Sequence, residues 1–469
     1  MYYQLNRFAY VKNINNYMQI VDKRDDSELI GDYNSYLFAK HLRYSPLHID
    51  AIVKNICSEF ANNVDYSIVK NDTIDFFNRL VDFGLVSCFE HADDFANIVP
   101  SDNKISKPRI LLPQEEWEEI QTIMRQKPCL QSISVQITQK CNERCVHCYI
   151  PHENKLSIMS DDDFYNIVDM CSDMETIVNF RITGGECMSH PSFKKFIKRV
   201  KERGFSLTLL TNLTILDDET LDILKNGLFS QVQVSLYSLS PIIHDKITNV
   251  SGSLEKTLKN MQKLKEAGIP ISIATQAIEI NKDSIEGLYK YAKKQNLELR
   301  CDWTIVAKED RNKENLSHRI CDFSNYKKLC KIKLNYLDGY KKELKDELSR
   351  PPKTENTHLC NGGASGLYVD TNLKVHPCPG WDLIVGDLKT ESLSDIWNHS
   401  ETLQRVRNVV LKDFPKCAKC DIRNLCSICM AQADLENTAK DFKFEMPEYM
   451  CSMYRVIYDT IKEEVLDKN

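Results

Sequence analysis

Of 469 residues, 18 are cysteine. Ten of these stand in two close-set groups: Cys141, Cys145 and Cys148 together, then Cys360, Cys378, Cys417, Cys420, Cys426, Cys429 and Cys451 toward the carboxyl end. Thiolates are soft ligands for zinc and for iron–sulfur clusters, so segments spaced this way fold around metal as much as around apolar side chains. Structural disulfides belong to oxidising compartments. The first residues lack the basic-then-apolar pattern of an export signal, and no stretch approaches the roughly 18 apolar residues of a membrane span. A cytoplasmic metal-binding protein without a membrane segment is expected.

The formal net charge of −6 is wrong for a protein that binds nucleic acid by neutralising phosphates. Residues 1–95 read as a winged-helix-like α+β module: a strand pair across 8–21 broken by an Asn-rich turn, then helical spacing at 46–60 and 73–83 closed by Gly84. Residues 1–100 hold 14 Asp and Glu against 9 Lys and Arg, which leaves no basic recognition face. Residues 96–129 form a linker, rich in Ser, Lys and Pro at 100–113. From 130 to 310, strands are expected at 133–138, 177–182, 206–211, 231–235, 271–278 and 297–305. Between them lie helices at 161–170, 193–202, 218–225, 254–266 and 284–294, most preceded by a capping Ser or Asp. This α/β alternation predicts a partial (β/α)6 barrel with its reactive site at the carboxyl ends of the strands. A helical bridge, 311–354, built on one charged helix at 325–349, leads to the cysteine-rich region 355–469.

Directly after the first strand stands Cys141-Asn142-Glu143-Arg144-Cys145-Val146-His147-Cys148. Three thiols on one loop suit either a zinc site completed from elsewhere or three corners of a [4Fe–4S] cube whose fourth iron stays open. The second strand ends in Thr183-Gly184-Gly185-Glu186-Cys187, where glycines permit close backbone approach and Glu186 can accept from an ammonium group. Together these resemble the radical S-adenosylmethionine (SAM) superfamily over about 130–310. The resemblance implies that Cys141, Cys145 and Cys148 ligate the cluster and that His147 takes the aromatic place beside the adenine. It implies that Gly184, Gly185 and Glu186 bind the methionine amine, and that Asn212 and Ser235 contact ribose and carboxylate. Cys187 departs from the usual Pro, and Lys246-Ile247-Thr248-Asn249 replaces the Arg-Gly pair of many relatives, leaving an Arg contact to SAM unassigned.

The seven carboxyl-terminal cysteines exceed one zinc site and fall one short of two tetrathiolate sites. Their layout resembles the SPASM domain of peptide-modifying radical SAM enzymes. That resemblance implies two auxiliary [4Fe–4S] clusters, making three in all: Cys360, Cys378 and Cys429 on the first, and Cys417, Cys420, Cys426 and Cys451 on the second. Residues 361–377 lack the fourth first-cluster cysteine of some relatives, so that cluster has an open iron unless Cys129 closes it.

With these neighbours, the first block resembles a PqqD-like peptide-recognition element, in which a leader peptide adds a strand to a sheet edge. The strand at 17–21 is the expected edge. The family reading is a maturase of a ribosomally made precursor peptide that binds SAM, takes electrons from an external donor such as flavodoxin or ferredoxin, and forms an intramolecular cross-link. A thioether between cysteine and carbon is favoured if the first auxiliary cluster is open. Carbon–carbon cross-linking is favoured if Cys129 closes it. Peptide epimerisation and formylglycine-type sulfatase maturation are the alternatives within the superfamily, and a zinc-stabilised winged-helix regulator is the alternative outside it. No side chain declares itself a general base, and Asp302 and Tyr237 stay unranked.

Overall fold

Short apolar runs alternating with capped amphipathic helices bury both faces of each strand most readily as a parallel sheet covered by those helices. The computed structural model describes residues 1–6, 9–14, 16–22, 27–43, 46–60, 63–92, 109–110, 128–151, 156–174, 176–177, 179–225, 230–337, 339–349, 351–360, 362–438 and 442–466. The expected linker therefore lies largely outside the described residues.

The amino-terminal module has its own core, in which Tyr3, Met18, Ile20, Ile52, Phe77 and Leu80 are completely buried. Its strands are β1 (Tyr2–Leu5), β2 (Ala9–Ile14), β3 (Tyr17–Asp22), β4 (Ser27–Gly31), β5 (Leu47–His48), β6 (Val86–Phe89) and β7 (Arg109–Ile110). They form two sheets, ordered β5-β1-β6 and β2-β3-β4-β7. Helices Ile49–Glu59 and Tyr66–Asp82 pack on one another, the second capped by Asp65 through the amides of Ser67 and Ile68. The Asn-rich break is a hairpin turn: Asn16 has φ +69°, and its amide donates to Asn13 Oδ1. One expectation is corrected here. The strand at 17–21 is not an edge, because β3 is hydrogen-bonded to β2 on one side and β4 on the other. The edges of that sheet are β2 and the two-residue β7.

The next six strands are β8 (Ser132–Gln136), β9 (Asn179–Thr183), β10 (Ser206–Thr211), β11 (Ser230–Ser235), β12 (Ile271–Gln276) and β13 (Glu298–Asp302). Each pairs in parallel with the next, in chain order. The run 206–211 shows why, since every residue but Leu210 is buried. The last strand is shorter than expected: it ends at Asp302, and Thr304, Ile305 and Val306 beyond it line a cavity. The charged bridge is two helices, Ser324–Tyr336 and Tyr340–Ser349, parted at Gly339, whose φ of +81° breaks the helical path.

The sheet does not stop at six strands. Strand β14 (Gly366–Val369), from the cysteine-rich region, pairs in parallel with β8, and β15 (Lys374–His376) and β16 (Gly386–Asp387) extend it antiparallel. A Cβ on Gly366 would stand 3.0 Å from Ser132 Oγ, so a glycine eases this pairing. One apolar core accordingly runs from Leu130 to Val465. No helix among the described residues is long and apolar enough to cross a membrane.

Candidate active site

The three-cysteine loop leaves the end of β8 and is held from two sides. The amides of Gly185 and Glu186 donate to the carbonyls of Thr138 (2.7 Å) and Lys140 (2.8 Å), and those of Arg144 and Val146 donate to Thr248 and Ile247. The two glycines after β9 are needed for this contact. A Cβ on Gly185 would sit 2.4 Å from the carbonyl oxygens of Gln139 and Lys140, and one on Gly184 would sit 2.6 Å from that of Thr138. Backbone of the neighbouring loop occupies the space a side chain would need.

A cavity of about 310 Å³ opens over the carboxyl ends of the strands. Its walls carry the sequence-predicted Cys141, Cys145, Cys148, His147, Gly184, Gly185, Asn212 and Ser235, together with Tyr237 and Asp302. His147 packs edge-on against Tyr237 at 4.8 Å, and its buried Nδ1 has no hydrogen-bond partner among the described residues. Burial holds that imidazole neutral, with its pKa near 4. Asn212 Nδ2 donates to Asn142 Oδ1 at 3.0 Å and stands 4.0 Å from Cys141 Sγ. The Thr275 hydroxyl, also on the wall, is buried without a partner among the described residues.

Glu186 is not brought into this cavity. It is fully buried, and its carboxylate accepts from Thr211 Oγ1 (2.7 Å), the Asn212 amide (2.7 Å) and the Met188 amide (3.0 Å). The expected ammonium acceptor is thus a brace between the ends of β9 and β10. Replacing it with alanine strands three buried donors, at about 3 kcal/mol or more. Glu186→Ala is expected to lower the thermal midpoint measurably, whereas Ser235→Ala, on the cavity wall, leaves it near the parent's; both are read by circular dichroism. Cys187 is fully buried, with Sγ 3.4 Å from the Leu210 carbonyl. It is core, not ligand.

Glu143, inside the cysteine loop, went unrecognised in the sequence because an acidic residue between cysteines reads as a solvated one. It is 2% exposed, accepts from Ser253 Oγ and from Cys145 Sγ, and burial raises its pKa to about 7. Tyr149, next to Cys148, was likewise unassigned. It lines the cavity and packs against the segment at Gly380.

The seven carboxyl-terminal thiols are crowded in two places. Cys360 and Cys429 lie close enough to the Cys378 thiol to raise its pKa, in addition to the effect of burial. Cys420, Cys426 and Cys451 line one cavity of about 410 Å³ with Cys417, and burial, helped by the neighbouring thiols, raises the pKa of Cys417 and of Cys426. Backbone amides point at three of the sulfurs: Glu143 to Cys141 (3.3 Å), Gly362 to Cys360 (3.2 Å) and Gln432 to Cys429 (3.5 Å). Mutual crowding of buried thiols disfavours thiolates unless a metal neutralises them. Among the described residues no three His, Cys, Asp or Glu converge closely enough to hold a single ion; Cys141, Cys145 and Cys148 line one cavity, and Cys417, Cys420, Cys426 and Cys451 another. Cys129 stands beside the segment that joins Cys360 to Cys378. Its thiol is hydrogen-bonded at Gln131 and Thr176 and faces Lys12, because its amide is committed to the Ala364 carbonyl at the start of the β8–β14 pairing.

Residues 135–292 match the Radical SAM superfamily, and residues 360–421 match the SPASM iron–sulfur cluster-binding domain. The chain carries a radical SAM domain followed by a SPASM domain, and it is an enzyme. Its radical SAM domain binds SAM and a [4Fe–4S] cluster, and its SPASM domain binds auxiliary iron–sulfur clusters. The enzyme is 23% identical over 321 residues to the AdoMet-dependent heme synthase of Methanosarcina barkeri, covering 64% of this chain and 91% of that protein. It is 25% identical over 271 residues to the subtilosin biosynthesis protein AlbA of Bacillus subtilis, covering 56% of this chain and 58% of that protein. In structure it is similar to Streptococcus suis SuiB bound to its precursor peptide SuiA: TM-score 0.60 and 12% identity, over 96% of this chain and all of SuiB. At that identity the likeness shows a shared fold.

Proposed function

We propose that this radical SAM enzyme matures a ribosomally made precursor peptide, docking its leader on the amino-terminal PqqD-like module and forming a thioether between a peptide cysteine and a carbon. Several observations support the reading. The likeness to a peptide-bound enzyme runs through 96% of the chain, the amino-terminal module included. A subtilosin biosynthesis protein is among the relatives. For the bond formed, the carrying observation is that Cys360 and Cys429 crowd the Cys378 thiol, while the Cys129 thiol is engaged by Gln131 and Thr176. That arrangement suits a cluster with one iron left for a substrate thiolate.

The six-stranded array is read as a partial barrel around the cavity. Cys141, Cys145 and Cys148 would hold the SAM-binding cluster, and Gly184, Gly185, His147, Asn212 and Ser235 would contact SAM. Two auxiliary clusters would sit on the carboxyl-terminal thiols, with Cys417, Cys420, Cys426 and Cys451 closing the second. When bound, cluster and SAM supply a 5′-deoxyadenosyl radical that takes a hydrogen atom from an unactivated C–H. The chain's own residues do the rest. His147, held neutral and edge-on to Tyr237, walls the cavity with an apolar ring face, and Ile150 and Ile305 help keep water from it. With β3 interior, the leader's strand is assigned to the β2 side of the sheet, which among the described residues is an edge, by main-chain pairing. The external electron donor remains part of the proposal.

Thioether closure removes two hydrogens from the peptide: one as an atom from carbon to the deoxyadenosyl radical, one as a proton from the thiol, and the one remaining electron would go to an auxiliary iron–sulfur cluster. The test is incubation of the anaerobically reconstituted enzyme with reductant, SAM and any cysteine-containing peptide encoded by a small open reading frame beside its gene. The expected product is lighter by two hydrogens and resists thiol alkylation at one cysteine. An unchanged mass with solvent deuterium uptake would establish epimerisation instead. The Cys378→Ala enzyme is expected to keep releasing 5′-deoxyadenosine while losing the product.

A further inference from the structure

The segment 304–319, between β13 and the bridge helices, touches both cluster-binding regions. On one side it is tied to the three-cysteine loop. Glu309 donates its amide to the Tyr149 carbonyl (2.9 Å), and the buried Asn315 spans the carbonyls of Val306 (2.8 Å) and His147 (3.4 Å). On the other side three cations grip the carboxyl-terminal end of helix Met430–Asn437, whose amino-terminal cap is Cys429. Arg311 binds the Asp434 carboxylate at 2.8 Å and its carbonyl at 3.2 Å, Lys313 reaches the Glu436 carbonyl at 2.6 Å, and Arg319 forks onto both Glu436 oxygens at 2.8 and 2.5 Å. Cations at this end of a helix meet its negative pole.

Arg319 and Glu436 are the buried members, their side chains 9% and 7% exposed. Arg319 does more than neutralise. The same Nη2 that meets Glu436 also donates to the Ile305 carbonyl at 2.6 Å, and Ile305 lines the reaction cavity. Its guanidinium lies 4.7 Å from the Tyr449 ring. The planar fork therefore touches three things at once: the helix that begins at Cys429, the cavity wall, and the last long helix. An ammonium is a point charge that cannot reproduce that geometry.

We infer that Arg319 is a positioning residue, paired with Glu436, that fixes the cavity wall at Ile305 relative to the auxiliary-cluster ligand Cys429. This rests on the peptide-maturase reading, in which the substrate lies between the two cluster-binding regions. Arg319→Lys keeps the charge beside Glu436 and gives up the fork. Displacement of a reacting group by about 1 Å can cost on the order of 100-fold in rate. The expected result is 5′-deoxyadenosine release within about twofold of the parent with cross-linked product per 5′-deoxyadenosine falling about tenfold or more. The first auxiliary cluster's electron paramagnetic resonance signal should shift at unchanged iron content. Should Arg319→Lys fail to fold, Glu436→Asp, which shortens the same fork, gives the same readouts. Unchanged coupling and an unchanged signal in a folded variant would overturn the inference. A parent that cleaves SAM but modifies no peptide would overturn the maturase reading alone, and the spectroscopic comparison would still decide the positioning role.

Discussion

With Cys141, Cys145 and Cys148 all replaced by alanine, the anaerobically reconstituted enzyme is expected to release no 5′-deoxyadenosine above a no-enzyme control. Its iron content should fall by about one third, since one cube of three is lost. The three thiols share a loop fixed by hydrogen bonds at Thr138, Lys140, Ile247 and Thr248, so the remaining protein cannot supply substitutes at that place. The auxiliary thiols stand in separate groups and should still load. Iron and sulfide analysis together with chromatography of the nucleoside product read both arms. Turnover at the parental rate would remove the basis for the proposed chemistry.

Gly185→Ala should be nearly as severe without touching a single ligand. The added methyl would lie 2.4 Å from two carbonyl oxygens of the cysteine loop, and those oxygens belong to backbone, which cannot rotate away. The Glu186 amide already donates to one of them, so any shift breaks that bond as well. Overpacking of this kind typically costs 1–3 kcal/mol, and roughly this is expected here. The larger consequence is functional, because the cavity wall and the loop move apart. Loss of SAM binding by isothermal calorimetry is the expected measurement, with a Gly287→Ala enzyme, where nothing stands within 4 Å of the new atom, behaving as the parent.

Much of this was readable from the residues alone. The alternation of capped helices and apolar runs gave six strands near their observed places, and the cysteine spacings pointed to three thiol groups. What escaped was contact between distant segments. Residues 366–369 are too short and too ordinary to announce a strand, and nothing local says that they pair with 132–135. The edge position of β3 failed for the same reason, since β2, β3 and β4 are each amphipathic enough to be either edge or centre. Glu186 could be read as a ligand because sequence gives residue type and neighbourhood. Its three buried donors come from β10 and the turn after β9, and only folding brings them together.

The shared sheet also limits how this molecule can be rearranged. Ser132–Val135 pairs with Gly366–Val369 residue for residue, so cutting at 355 would bare both strand edges and open the core that spans 130–465. The radical SAM and SPASM regions share one sheet and one core, so a chimera importing a foreign iron–sulfur region must bring a partner strand in the same register. The amino-terminal module, with its separate core, is the part that can be exchanged as a cassette.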